Sequence, residues 1–153
     1  MEKRNFIPIA LTFLVITGLI IAGNASAFSI DIKPDKERAT AGEIVNFHIT
    51  ITGENISGIN DLVLNISGPE ARNCQFNTDG TPLADCDGIE IKKLGQSEKF
   101  GYGYSENQFI KYKISLETKN FDSGEYNIEL TANSDSGSSS KTTGITLRDK
   151  KKK

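Results

Sequence analysis

The stretch from Val45 to Thr52 reads Val-Asn-Phe-His-Ile-Thr-Ile-Thr, and it decides the class of fold. Large apolar residues occupy every second position, and polar residues, among them the single histidine His48, stand between them. A repeat of two places alternate side chains on opposite faces of a strand, whereas a helix needs a repeat near 3.6 residues. The stretch therefore predicts a β-strand with one buried face, on which His48 points to solvent.

The same alternation recurs along the chain beyond residue 27. Turns rich in Gly, Pro, Asn and Ser separate six further short segments of this kind: 29–33, 62–66, 89–91, 110–116, 126–132 and 145–147. Seven short strands with such turns predict an all-β fold, an antiparallel β-sandwich of two sheets. We expect one domain over residues 28–148, followed by a solvated basic tail at 149–153.

The first 27 residues have the pattern of an export segment. Positive residues precede an uncharged, largely apolar run from Phe6 to Gly23, and Ala25 and Ala27 offer the small side chains that a signal peptidase accepts. Cleavage before Phe28 is the prediction. The alternative is an uncleaved membrane anchor, because a run of about 18 residues approaches the length of a membrane span. Either reading places the rest of the chain in the cell envelope or outside the cell.

Two further features are consistent with an extracellular location. Cys74 and Cys86 are the only cysteines, and an exported chain with two cysteines is expected to join them in a structural disulfide. The two sulfurs and the distant His48 offer too few ligands for a zinc site. Asn55 and Asn65 each begin an Asn-X-Ser tripeptide, which makes them candidate N-glycosylation sites.

Charge and composition argue against two classes of function. The chain has 18 Lys and Arg against 20 Asp and Glu, a formal net charge of −2, and no basic cluster is visible outside the tail, so we expect no nucleic-acid binding. The chain contains one histidine and no tryptophan, and no nucleophile is paired with a base in any catalytic motif. We therefore expect no enzymatic activity, no metal and no cofactor.

A turn near the end of the chain carries a resemblance to a known superfamily. Residues Asp122-Ser123-Gly124-Glu125-Tyr126, directly before an alternating segment, resemble the tyrosine corner of immunoglobulin-like domains. The resemblance implies that Gly124 forms the turn, that Asp122 braces it, and that the hydroxyl of Tyr126 binds backbone while its ring packs in the core. Tyr126 would then anchor an Ig-like β-sandwich.

Further residues indicate which kind of Ig-like domain the chain resembles. Ile128 stands where antibody-type domains have their second core cysteine, so the antibody branch is excluded. The turns at Pro34, Ala41-Gly42-Glu43 and Gly124-Glu125-Tyr126 are similar to those of exported Ig-like domains of prokaryotic cell envelopes. This likeness implies a fold and does not identify a ligand.

Residues 68–108 are long for a sandwich connection and poor in core residues, which predicts an insert. Within it, Phe100, Tyr102 and Tyr104 alternate with glycines. The three rings are either a stacking surface for sugar rings or a satellite strand that covers the sandwich.

The same insert contains acidic turns at Asp79-Gly80 and at Asp85-Cys86-Asp87-Gly88. Carboxylates two positions apart before a glycine can wrap a calcium ion. The further ligands of a complete calcium loop are missing from the pattern, which favours ordinary acidic turns.

These features favour a non-catalytic module with a structural or adhesive role, which binds a cell-surface protein or a polysaccharide. Segments 110–116 and 145–147 are candidate edge strands for strand addition or self-association. The alternative is a carbohydrate-binding module that uses the aromatic run. Membrane contact is expected only through the N-terminal segment, if it remains uncleaved.

Overall fold

The computed structural model describes residues 28–54, 56–97 and 108–151. These residues form nine strands and one 3-10 turn at Ile56–Gly58. The strands are β1 (Phe28–Pro34), β2 (Arg38–Thr40), β3 (Ile44–Gly53), β4 (Ile59–Ser67), β5 (Arg72–Phe76), β6 (Ile89–Gln96), β7 (Gln108–Glu117), β8 (Gly124–Ser134) and β9 (Gly137–Arg148).

The strands form two sheets. The order is β1-β3-β7-β6 in the four-stranded sheet and β2-β9-β8-β4-β5 in the five-stranded sheet. Neighbouring strands are antiparallel except β2, which runs parallel to β9. This is the strand order of an Ig-like sandwich, with one sheet of the A-B-E-D type and the other of the G-F-C type extended at both edges. The predicted fold class is confirmed.

Alternation along each strand produces the core between the sheets. Apart from the exposed Ile44, the apolar residues of β3 and β8 are fully or almost fully buried: Val45, Phe47, Ile49, Ile51, Tyr126, Ile128, Leu130 and Ala132. The intervening positions of β3 face outward, and His48 is exposed there as predicted. The polar face of each central strand therefore forms an outer surface of the sandwich.

The described residues form nine strands where the sequence pattern indicates seven. The two additional strands, β2 and β5, are too short or too polar to show a repeat of their own. The segment 68–108, predicted as an insert, contributes β5 and β6 and buries Cys74, Phe76 and Ile89 in the shared core. The described part of this segment is thus integral to both sheets.

The candidate edge strands prove to be interior. Segment 110–116 belongs to β7, which lies between β3 and β6, and segment 145–147 belongs to β9, which pairs there with β8 and β2. The alternation that suggested strands contains no information on strand order. In the described chain the outermost strands are β1, β6, β2 and β5. Strand β6 carries Lys92 and Lys93 and a bulge between Lys93 and Gly95, which protect an edge against pairing.

The export segment falls at residues 1–27, which lie outside the described ranges. Within those ranges, no helix is long and apolar enough to cross a membrane.

Candidate binding surfaces

The turn before Tyr126 has the backbone hydrogen bond and the ring packing that its sequence predicts, but the side chain of Asp122 does not brace it. The hydroxyl of Tyr126 donates to the carbonyl oxygen of Asp122 at 2.8 Å, and the ring packs at 5.3 Å from that of Phe121. Burial raises the pKa of Tyr126. Asp122 contributes its backbone, and its carboxylate has no hydrogen bond to the described chain. The corner is a structural device, and it positions the start of β8.

The turn leaves no room for side chains at two glycines. A Cβ on Gly124 would lie 2.7 Å from Cγ of Pro69, and one on Gly68 would lie 2.7 Å from Cδ1 of Tyr126. Because Gly124 also has a φ of +147°, a side chain there would be strained as well as crowded. The two turns therefore interlock around the Tyr126 ring.

Cys74 and Cys86 form the predicted disulfide, with their Cα atoms 4.7 Å apart. Cys74 is buried in β5, while Cys86 lies in the connection to β6. The same connection meets β5 at two further points, since Leu83 donates its N–H to the carbonyl of Gln75 at 2.7 Å and Pro82 bridges to Phe76. The disulfide thus holds this connection against β5.

The sequence did not single out two buried hydroxyl groups, each of which bonds backbone that is distant in sequence. The hydroxyl of Tyr112 donates to the carbonyl of Thr78 at 2.6 Å, so it ties β7 to the connection after β5. Thr118 is the one fully buried polar residue of the described chain, and its hydroxyl donates to the carbonyl of Glu43 at 2.6 Å. Alternation predicts that Tyr112 points inward, but its partner lies far away in sequence.

The acidic turns fold as turns that bind their own backbone. A carboxylate oxygen of Asp79 accepts the N–H of Thr81 at 2.7 Å, and one of Asp85 accepts the N–H of Asp87 at 3.2 Å. The hydrogen bonds from Thr81 lower the pKa of Asp79. No group of three or more potential metal ligands occurs among the described residues.

A shallow groove of about 570 Å³ crosses the outer face of the five-stranded sheet. Strand pairing places Asn73, Asn65, Glu129 and Thr142 in one row across β5, β4, β8 and β9, and Arg72 stands beside one end of it. The described lining contains no histidine, lysine, cysteine or tyrosine. Amides, a hydroxyl, a carboxylate and a guanidinium can donate and accept hydrogen bonds, but they do not form a nucleophile and base pair.

Hydrogen bonds between side chains hold this outer face in place. Asn73 donates to Asn65 at 2.8 Å within the groove. Further along β4, both oxygens of the Asp61 carboxylate accept amide hydrogens, from Gln75 at 2.9 Å and from Asn133 at 2.6 Å. Because these bonds run between strands, they present a polar surface whose groups are already oriented.

The remaining sequence-predicted residues are divided between the described and undescribed parts of the chain. Asn65 is exposed in the middle of β4, inside the groove. Asn55 and the aromatic run of Phe100, Tyr102 and Tyr104 lie outside the described residues. The residues that flank the undescribed stretch 98–107 are bonded to each other, since Ser97 and Phe109 exchange two hydrogen bonds of 3.0 and 2.8 Å.

No protein family model matches the chain, and no curated protein matches it. One similar solved structure is a family 123 glycoside hydrolase from Clostridium perfringens, with 16% identity over 80% of this chain and 27% of that chain, and a TM-score of 0.45. The N-terminal domain of a Streptococcus gordonii adhesin has 14% identity over 81% of this chain and 33% of that chain, with a TM-score of 0.38.

A third similar structure is AggA, the major subunit of aggregative adherence fimbriae type I from Escherichia coli. It has 13% identity over 80% of this chain and 95% of its own, with a TM-score of 0.33. The chain spans only 27% of the length of the hydrolase and 33% of that of the adhesin. Likenesses this distant do not bear on function, and the assignment of the fold rests on the strand order.

Proposed function

We propose that the protein is an exported, non-catalytic Ig-like module that binds a partner in the cell envelope or outside the cell. The sandwich and the Cys74–Cys86 disulfide support this proposal, since such bonds persist in oxidising compartments. The pattern of the first 27 residues supports export independently. The partner is a cell-surface protein or a polysaccharide.

The observation that carries the proposal is the groove on the five-stranded sheet. Its central row of Asn73, Asn65, Glu129 and Thr142 offers amide, carboxylate and hydroxyl groups, which match the hydroxyls of a sugar or the main chain of a peptide. Strands on a disulfide-tied sandwich hold the row, so little side-chain freedom is lost on binding.

The surroundings of His48 support binding over catalysis. The imidazole is exposed in the middle of β3, and its neighbours across the sheet are Lys33 and Lys113. Neither neighbour is a carboxylate that could orient the ring, and neither is a serine or cysteine that the ring could activate. A protein of this kind acts through its faces and edges.

Asn65 is a candidate N-glycosylation site, and it also lines the groove. A glycan on its amide nitrogen would replace a donor of the row and cover the groove. Glycosylation at Asn65 and binding in the groove are therefore mutually exclusive. Asn65 is therefore unmodified in the form of the protein that binds its partner through the groove.

The test compares two threonine-to-tyrosine variants of the full chain. Thr142→Tyr fills the groove without changing charge, and Thr52→Tyr places the same bulk on the outer face of the other sheet. Tyrosine is well accommodated in strands, so both variants should fold. We expect retention on envelope material of the native host to fall about tenfold for Thr142→Tyr, as for loss of a central contact, and to stay unchanged for Thr52→Tyr.

Equal retention of both variants would refute the groove as the binding site. Conversion of a substrate at a rate abolished by His48→Ala would refute the non-catalytic function.

A further inference from the structure

A row of basic side chains crosses the outer face of the four-stranded sheet. Lys33 of β1 pairs with His48 of β3, His48 pairs with Lys113 of β7, and Lys113 pairs with Lys92 of β6. All four positions alternate with inward residues, so their side chains share one face. Adjacent strands lie about 4.8 Å apart, and the row spans about 14 Å. The expectation that no basic cluster exists outside the tail is therefore wrong.

The row lacks compensating charge over most of its length. Lys33 pairs with Asp31 at 3.1 Å, at one end of the row. Within the described chain, neither Lys92 nor Lys113 forms an ion pair. Like charges directly opposite each other on a sheet are destabilising. The positive charges of Lys92 and Lys113 therefore do not stabilise the fold, and they are free to contact an anionic partner.

Hydrogen-bonding groups flank the row on both sides. Asn46 and Ser115, which bond each other at 2.7 Å, lie in the next row in one direction. Thr50 and Lys111 lie in the next row in the other direction. A chain of sugars lying on the lysines would find amide and hydroxyl partners within reach of its own hydroxyls.

We propose that this face, named here the lysine row (Lys33, His48, Lys113 and Lys92), binds an acidic polysaccharide whose carboxylate or sulfate groups contact the lysines. The polymer lies across the strands and follows the row. This is a second binding surface, on the opposite side of the sandwich from the groove, and it does not depend on the function proposed for the groove.

The placement of acidic residues favours a single polymer chain over a membrane. Asp31 and Glu90 lie on the edge strands in the two rows beside the lysine row, Asp35 accepts hydrogen bonds from Asn46 in one of these rows, and Glu117 lies one row further away. A flat anionic bilayer would contact the whole face and meet all of these carboxylates, whereas a single chain that follows the row contacts only the row and the residues directly beside it.

Nucleic acid fits the face less well. Binding of single strands relies on aromatic rings on which bases stack, and the row contains none. The exposed ring nearby, Phe109, is covered by the ammonium of Lys111 at 5.2 Å from its centroid. The acidic net charge of the whole chain also opposes binding to a long polyphosphate.

The test measures binding of the full chain to polygalacturonate, which carries carboxylates, to dextran sulfate, and to neutral dextran. The test variant is Lys92→Gln with Lys113→Gln, and the matched control is Lys119→Gln with Lys141→Gln, which removes the same charge elsewhere. Both variants keep the tail lysines, so any contribution of the tail affects them equally. Thermal unfolding verifies the fold, and the test variant should unfold at the same or a higher temperature, because a like-charge contact is removed.

We expect wild-type protein to bind at least one of the two acidic polymers and not dextran. The test variant should bind about tenfold or more weakly, with the slope of log affinity against log salt reduced by about two, one for each lysine removed. The control should stay within about twofold of wild type, because its lysines lie off the row.

Three results would overturn the inference: no binding to either acidic polymer, equal weakening of the test and control variants, or tighter binding to anionic phospholipid vesicles or single-stranded DNA than to the polymers. Each of them leaves the groove comparison of Thr142→Tyr with Thr52→Tyr unaffected.

Discussion

The two outer faces of the sandwich differ, although the strands beneath them alternate in the same way. In the five-stranded sheet, β4 and β8 carry Asp61, Glu125 and Glu129 and have no lysine or arginine. In the four-stranded sheet, β7 alone carries two outward lysines, Lys111 and Lys113. Inward positions must fill a common core, whereas outward positions are free of that constraint. The outward residues, which differ between the two faces, can therefore determine which partner binds.

The faces also differ in how they are held. Side chains on the five-stranded face bond one another across strands, as Asn133 and Gln75 do with Asp61, and the edge strand β5 is fixed by the disulfide. On the other face, Ser115 bonds Asn46 across strands beside the lysine row, but the four residues of the row do not bond one another in the described structure, and no disulfide joins their strands. Perturbations of the disulfide should therefore affect the groove first.

The largest effect is expected from removing the disulfide. Cys74→Ala with Cys86→Ala releases a loop closed over 12 residues, and we expect a loss of about 3 kcal/mol in the free energy of unfolding. Urea denaturation measures the loss. Wild-type protein under reducing conditions is the control, because it loses the cross-link and keeps the buried side chain of Cys74.

Hydrogen exchange on the same variant would sharpen the comparison between the faces. Amides of β5 should exchange faster, while those of β3 and β7 should keep their relative protection. An equal increase in the exchange rates of both sheets would show that the disulfide does not stabilise the five-stranded sheet selectively.

The second effect concerns one tyrosine hydroxyl on each sheet. Tyr126→Phe and Tyr112→Phe each remove a donor to a backbone carbonyl, of Asp122 and of Thr78 respectively. We expect each to cost about 1 kcal/mol, since both side chains are fully buried. Urea denaturation of the two variants provides the measurement, and unchanged midpoints would contradict both structural roles.

The effect of Tyr112→Phe should also depend on pH in the alkaline range. Burial, with a smaller contribution from the charge of Asp79, raises the pKa of Tyr112 above its ordinary value of 10.0. A raised pKa means that its stabilisation is complete below pH 10 and decreases as the pH rises further. Tyr112→Phe should therefore lose less stability than wild type between pH 9 and pH 11, in a range set by that ordinary value.

Local patterns account for the parts of the molecule that could be predicted. Alternation in 45–52 identifies the inward positions of β3, and the turn before Tyr126 identifies the corner, because both depend on residues close in sequence. The rows on the outer faces could not be predicted. His48 meets Lys113, and Asn65 meets Glu129, only through the order and register of the strands, which no local repeat specifies.

A smaller effect is expected where β1 ends, next to the lysine row. The Asp35 carboxylate accepts two hydrogen bonds from Asn46, at 3.1 Å from its backbone N–H and 3.0 Å from its side chain. Slight burial would raise the pKa of Asp35, but these bonds outweigh it, so the pKa lies below 3.8. Its stabilisation is present above that value and is lost as the pH falls below it.

Asp35→Asn should therefore destabilise the protein by a few tenths of a kcal/mol at neutral pH, because the carboxylate is exposed. The difference from wild type should disappear when the pH falls well below 3.8. Urea midpoints at neutral and acidic pH measure it, with Asp149→Asn in the exposed tail as the control. A difference that persists in acid would show that the carboxylate charge is not what holds β1 to β3.

The smallest effect on binding is expected from changes in the aromatic run. Measuring this effect tests whether the two outer faces of the sandwich account for all of the binding. Tyr102→Ala with Tyr104→Ala removes the rings on which the carbohydrate-binding alternative depends, and if the groove carries the binding, retention on envelope material should change less than about twofold. The free energy of unfolding measures whether these rings pack on the sandwich, since loss of buried aromatic area costs several kcal/mol. Loss of retention at unchanged stability would make the segment 98–107 the binding site. The contrast between the faces would then describe the scaffold of that site and not the recognition of a partner.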